Sequence, residues 1–266
     1  MSIQSFKTTT FIFQLSILGV GNMVAPQAIA SDAIGPGDSN SKWVTGLSLG
    51  TTNNPYIGES TERFVSPTIR YNGERFFVRD TSLNLFLTKS LGFSGGLTIA
   101  LDSGFLSDDD EYKNNDKLLG IDERDATAMG GIYINHDSDL GRLSFNALSD
   151  MGDEHDGRIA RLSYTFDFTL GDWNINPELG VLWADDKYVN HHVGVSSNEA
   201  TASRFEYRGE ATANTFAGIR ARYEITNNWD INIETGVTKI GSGFADSSIV
   251  EDDRVYQASV GINYNF

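Results

Sequence analysis

Apolar and polar residues alternate one for one along most of this chain. From Tyr256 to Phe266, one face would carry Tyr256, Ala258, Val260, Ile262, Tyr264 and Phe266, and the other Gln257, Ser259, Gly261, Asn263 and Asn265. Such a period-two pattern describes a strand with one side against something apolar and the other against something polar. Just upstream, Trp229, Ile231, Ile233, Thr235 and Val237 share a face, as do Ala217, Ile219, Ala221, Tyr223 and Ile225. Read back to the amino-terminal side, the alternation predicts twelve strands, at 43–50, 64–71, 75–79, 82–88, 92–101, 125–136, 142–148, 158–168, 173–184, 214–225, 229–240 and 254–266.

The connections sort into two classes. Those after even-numbered strands are short turns (72–74, 89–91, 137–141, 169–172 and 226–228). Those after odd-numbered strands are long (51–63, 102–124, 149–157, 185–213 and 241–253), apart from a sharp bend at Asp80-Thr81. A soluble sandwich has no reason to segregate its loops by side. An all-β, transmembrane, antiparallel up-and-down barrel does, with short periplasmic turns, long extracellular loops and an even strand count. Aromatic residues near predicted strand ends, among them Trp43, Tyr71, Trp173, Trp183 and Trp229, suit girdles at headgroup depth.

Composition sharpens this picture. Hydrophobic residues make up 39% of the 266, low for a helical membrane protein and suitable for a barrel, where every second strand residue faces lipid. Lys7, the apolar stretch 11–20 and the small-x-small site Ala28-Ile29-Ala30 read as a signal peptide over 1–30. A flexible segment is expected over 31–42 and the outer-membrane barrel over 43–266. The absence of cysteine excludes disulfides and thiolate metal sites. A formal net charge of −16 disfavours nucleic acid as a partner.

Candidate chemistry is thin. The predicted loop from Asp102 to Asp125 is rich in acids, which reads as a solvated surface loop or as a divalent-cation site near lipopolysaccharide. His155 has Asp153, Glu154 and Asp156 beside it, and a His–Asp pair can activate water. No nucleophile elbow accompanies it, and the adjacent His191 and His192 show no third ligand nearby in sequence. The expectation is therefore no catalytic, cofactor-binding or metal-binding residue. Inward positions mix Arg161, Arg220 and Arg222 with Glu178, Glu224 and Glu234, and paired charges would close a small lumen where rings of one sign would select ions.

Several segments together resemble the MipA/OmpV family of outer-membrane proteins. They are Pro55-Tyr-Ile-Gly58, Pro67, Tyr71-Asn-Gly-Glu-Arg-Phe-Phe77, Asp122-Glu-Arg124, Trp183-Ala-Asp-Asp-Lys-Tyr188, Val193-Gly-Val195 with Glu199-Ala200, and the terminal strand. Asn190-His-His192 departs from the tyrosines usual there. The resemblance implies a non-enzymatic barrel that scaffolds peptidoglycan assembly, linking a lytic murein transglycosylase to a murein synthase. It also implies that Tyr264 and the terminal Phe266 are a sorting signal read by the barrel-insertion machinery, with outer-membrane lipid and lipopolysaccharide as surroundings. The alternative is a passive pore for small solutes. Short periplasmic turns offer little area against the roughly 800 Å² per partner of a stable interface.

Overall fold

The computed structural model describes residues 42–59, 61–102 and 115–266. The expected leader and residues 31–41 lie outside them, as do Asp108, Asp109, Asp110 and Glu111 of the acidic loop. The strands are β1 (Trp43–Asn53), β2 (Thr61–Asn72), β3 (Phe76–Arg79), β4 (Ser82–Ser90), β5 (Phe93–Asp102), β6 (Thr127–Ser138), β7 (Gly141–Asp150), β8 (Arg158–Phe166), β9 (Phe168–Leu170), β10 (Trp173–Ala184), β11 (Thr212–Glu224), β12 (Trp229–Lys239) and β13 (Arg254–Asn265). Each pairs antiparallel with its neighbours, and β13 returns to β1 in the register Leu47 to Ile262 and Leu49 to Val260, which closes the wall. β8 and β9 both pair with β10 and form one wall strand interrupted at Asp167, so the barrel has twelve strands.

Polarity is inverted relative to a soluble protein. Leu47, Leu49, Leu97, Ile99, Leu179, Ile219, Val260 and Ile262 are exposed on the outside, whereas Ser48, Thr98, Asn232 and Asn263 are buried within. That is what the alternation demands when hydrocarbon is outside and no backbone group can be left unpaired. The terminal strand follows the predicted faces, with Tyr256, Val260 and Ile262 outward and Asn263 and Asn265 inward.

All five short turns lie at one end and are two to four residues long. The turn at Leu91-Gly92 has both residues at positive φ (52° and 79°), a geometry that lets a two-residue hairpin follow the strand twist. Aromatic pairs ring this end: Trp43 with Tyr71 at 4.7 Å between centroids, Trp173 with Tyr223 at 5.0 Å and Trp229 with Tyr264 at 4.9 Å. The ring suits amphipathic side chains at a membrane interface.

The long connections at the other end fold into a cap. It contains helix α1 (Asp186–Val193) and the one-turn helix α2 (Ser242–Ala245). Isolated bridges join Tyr56 to Val250 and Val195 to Tyr207. Its core of Tyr56, Leu118, Tyr188, Val189, Val193, Phe244 and Ile249 sits on inward residues of the strand ends, Met129 and Val255. No helix among the described residues is long and apolar enough to cross a membrane.

Candidate functional site: a filled lumen beneath a folded cap

The lumen is lined by neighbouring strands that supply matched charges. Arg161 Nη2 on β8 reaches Glu178 Oε1 on β10 at 2.7 Å, and Arg220 Nε on β11 reaches Glu234 Oε1 on β12 at 2.8 Å. Arg222 Nε lies 3.3 Å from Asp230 Oδ2, which also accepts from Asn265 at 2.7 Å, while Asp230 Oδ1 accepts from Asn263 at 2.8 Å. The Arg161 guanidinium also lies over the Phe216 ring at 4.2 Å. Arg161, Glu178, Arg220, Asp230 and Asn232 are all at most 6% exposed. Side chains lining a water-filled channel would be wetted, so these fill the barrel. Of the two arrangements the sequence left open, paired charges or rings of one sign, the lumen has the paired one.

Above the lumen the cap is stitched by two buried polar centres. Glu199 accepts from the backbone of Ser196 at 2.7 Å and of Asp122 at 2.9 Å, and pairs with Arg124 at 3.0 Å. Burial opposes its charge, but the two N–H donors and then Arg124 outweigh that and hold its carboxyl below the usual range. Arg204 donates to the carbonyls of Lys117 (2.8 Å), Leu119 (3.3 Å) and Glu199 (2.6 Å), binding the 115–121 segment to the 196–204 segment. Ser247 donates to the Val193 carbonyl at 2.7 Å and Tyr207 to that of Gly243 at 2.8 Å, which ties the end of α1 to the segment after α2, and the Tyr207 bridge to α2.

Three of the four histidines meet where cap and lumen join. His155 Nε2 lies 3.7 Å from Asp102 Oδ2, and His192 Nε2 lies 3.4 Å from the same oxygen. His191 packs on His155 at 4.6 Å between ring centroids, and Tyr188 packs on His192 at 4.4 Å. Burial first, and then the Asp102 carboxylate, push the Tyr188 hydroxyl well above its ordinary pKa. Burial, and then the neighbouring His192 and His155, lower His191 to about 3.

Geometry argues against a catalytic His155. Its Nδ1 accepts from the Gly157 N–H at 2.8 Å, which leaves Nε2 to carry the proton toward Asp102 and no lone pair for a substrate. The side chain is 2% exposed. His136 lies apart at the short-turn end, stacked on Phe93 at 4.2 Å. Among the described residues no group of three or more His, Asp or Glu has the arrangement of a metal site.

Sequence reading placed His155 and the His191-His192 pair in separate loops, and Asp102 at the start of a third. It missed that one helical turn brings them together, because His191 and His192 belong to α1 and not to irregular loop. A signal for the helix was present in Asp185, whose carboxylate caps it by accepting from the Tyr188 N–H at 2.9 Å. The acidic loop also divides: Asp102 is buried at the end of β5, Asp122 and Arg124 belong to the cap centre, and Asp116 and Glu123 face solvent.

A closed twelve-stranded wall with apolar exterior, polar interior and segregated loops defines an integral outer-membrane β-barrel. The chain belongs to the family described as MltA-interacting protein MipA, whose model matches residues 45–266. It is 26% identical over 214 residues to the putative outer membrane protein YiaT of Escherichia coli K12, covering 80% of this chain and 86% of that one. It is 22% identical over 254 residues to the MltA-interacting protein of the same organism, covering 95% and 99%. To the outer membrane protein OmpV of Vibrio cholerae it is 26% identical, covering 74% and 76%. Among solved structures the NanC porin aligns with a TM-score of 0.49 at 7% identity, over 84% of this chain and 100% of that one.

Proposed function

We propose that this outer-membrane barrel is not an enzyme and works by binding partners rather than by passing solutes along its axis. The observation that carries this is the filled lumen, whose inward Arg161, Glu178, Arg220 and Asn232 are almost wholly withheld from water. Family membership supports a murein transglycosylase as the partner, with a murein synthase as the third member of a scaffold for peptidoglycan assembly. Such a complex would form at the short-turn face, where five turns of two to four residues and the adjoining chain ends offer the surface. A contact built on so little area would be small and transient. Tyr264 and Phe266, packed at 4.7 Å beside the β1–β13 seam, are the proposed sorting signal for the insertion machinery.

The test pairs two measurements on the refolded mature barrel. Planar-bilayer recording is expected to show no stable conductance steps, and affinity capture under gentle extraction is expected to retain the transglycosylase. Reproducible voltage-tolerant steps would favour the passive-pore reading instead. A silent barrel that captures neither murein enzyme would sink the scaffold.

A further inference from the structure

The wall is not of even height. β1 pairs with β2 over the full length of both strands, from Trp43–Tyr71 to Asn53–Thr61. On its other side β2 meets β3 at Arg70, Tyr71 and Asn72 alone. β3 has four residues, whereas crossing the hydrocarbon takes about 9–11. The chain turns back at Asp80-Thr81, and β4 begins opposite Ala100 of β5. The upper wall therefore has a notch, bounded by β2 on one side, the Asp80-Thr81 bend below and the Leu101–Asp102 end of β5 on the other.

The free edge of β2 lies within the apolar belt, since Val65 and Pro67 stand opposite the lipid-facing Leu49 and Leu47. Ile69, at the foot of the edge, is satisfied: its carbonyl accepts from the Asp80 N–H at 2.9 Å and its own N–H donates to Asp80 Oδ1 at 3.3 Å. Arg63, Val65 and Pro67 above it aim their backbone groups the same way, and among the described residues none finds a partner there. Backbone left unpaired in hydrocarbon costs several kcal/mol per group, so an edge with no partner among the described residues favours a polar occupant. Its lining agrees. Ser66 faces inward yet is exposed, Asp80 forms the sill, and the exposed Arg63 guanidinium has no side-chain partner among the described residues.

We infer that this notch seats the phosphate headgroup of an anionic membrane lipid, held by Arg63 and by the N–H groups of Arg63 and Val65. A phosphate accepts charge-assisted bonds from a guanidinium and amides, and Arg63 is an exposed cation with no ion pair among the described residues, on a chain of net charge −16. A partner strand fits the edge less well, because Pro67 removes a donor from its middle, as prolines on protected sheet edges do. The site is lateral and owes nothing to the axial closure of the lumen.

The decisive experiment is native mass spectrometry of the refolded barrel released from vesicles of mixed phosphatidylglycerol and phosphatidylcholine. One phosphatidylglycerol is expected to stay bound per barrel, and Arg63→Gln is expected to lose it while the barrel remains folded. Excess inorganic phosphate during release should not displace it. Displacement would identify a free-phosphate site and overturn the lipid assignment. Equal retention of both lipids, or retention unchanged in Arg63→Gln, would overturn it as well. So would disulfide-linked dimers of Val65→Cys in the membrane, since the chain has no other cysteine and such dimers would put a second copy on this edge.

Discussion

Arg161 and Phe244 are both withheld from water, yet each would be out of place in the other's surroundings. Arg161 sits in the barrel, whose interior is ionic and whose exterior is Leu, Ile and Val. Phe244 sits in the cap, whose interior is aromatic and aliphatic and whose exposed positions include Asp186, Lys187 and Glu206. One rule produces both. Apolar surface leaves water wherever it can, and for the wall the refuge is the bilayer, so polar groups must pair inside. For the cap, which stands clear of the bilayer, the refuge is its own centre. The two are stapled where the histidine cluster and Met129 touch both.

That contrast breaks first at its ionic half. Arg161→Ala removes the guanidinium 2.7 Å from the buried Glu178, and breaking one side of a buried pair costs about 3–5 kcal/mol. Urea titration of the refolded barrel should show a lowered midpoint by both cap and wall probes. A loss seen by cap probes alone would mean that the lumen pairs are not structural. Phe244→Ala should cost about 3 kcal/mol, the low end for such a truncation because a small core can partly collapse. Its effect should stay in the cap: faster proteolysis between β10 and β11, with the wall's denaturation unchanged. Simultaneous loss of the wall would show that cap and barrel form a single cooperative unit.

The wall was legible in the sequence and the cap was not, for one physical reason. A strand facing lipid on one side and lumen on the other writes its orientation into every second residue, so Tyr256 through Phe266 could be assigned face by face. The break at Asp167 left no such mark, because alternation reports direction and not how far pairing extends, whereas the shortness of β3 was legible in the run 75–79 ahead of the bend at Asp80-Thr81. The cap's order comes from contacts between residues far apart in sequence, such as Arg124 with Glu199 and Arg204 with Lys117. Five of the segments that carry the family resemblance, Pro55–Gly58, Asp122–Arg124, Trp183–Tyr188, Val193–Val195 and Glu199–Ala200, looked unrelated along the chain. In the fold they supply the cap's core, its helix cap and its Glu199 centre.

Acid should act on the cap before the wall. His191 has a folded-state pKa of about 3 against an ordinary value of 6.5, so between those values the unfolded segment binds the proton and the folded one does not. Stability then rises with pH: its contribution is complete above about 6.5 and is lost as pH falls toward 3. His155, His192 and Arg124 oppose a charge on His191 and Asp102 favours it. Proteolysis of the cap, measured with an acid-tolerant protease, should quicken across that window in the parent and less steeply in His191→Gln. Identical pH profiles would remove His191 from the account.

The smallest expected effect isolates the helix that gathers the cluster. α1 has eight residues, too few to persist alone in water, so it depends on packing and on its first turn. Asp185 satisfies the Tyr188 N–H at 2.9 Å, and Asp186 adds a second acid near the positive end of the dipole. Asp185→Ala should therefore cost about 1 kcal/mol, which would raise hydrogen exchange at Tyr188 and Val189 about fivefold if local opening governs it. Asp185→Asn keeps a capping oxygen and should recover most of the protection. Exchange at the β11–β12 amides should not move in either variant. If Ala and Asn behave alike, the carboxylate's charge and not its hydrogen bond holds the turn, and the first-turn acids become the feature to change next.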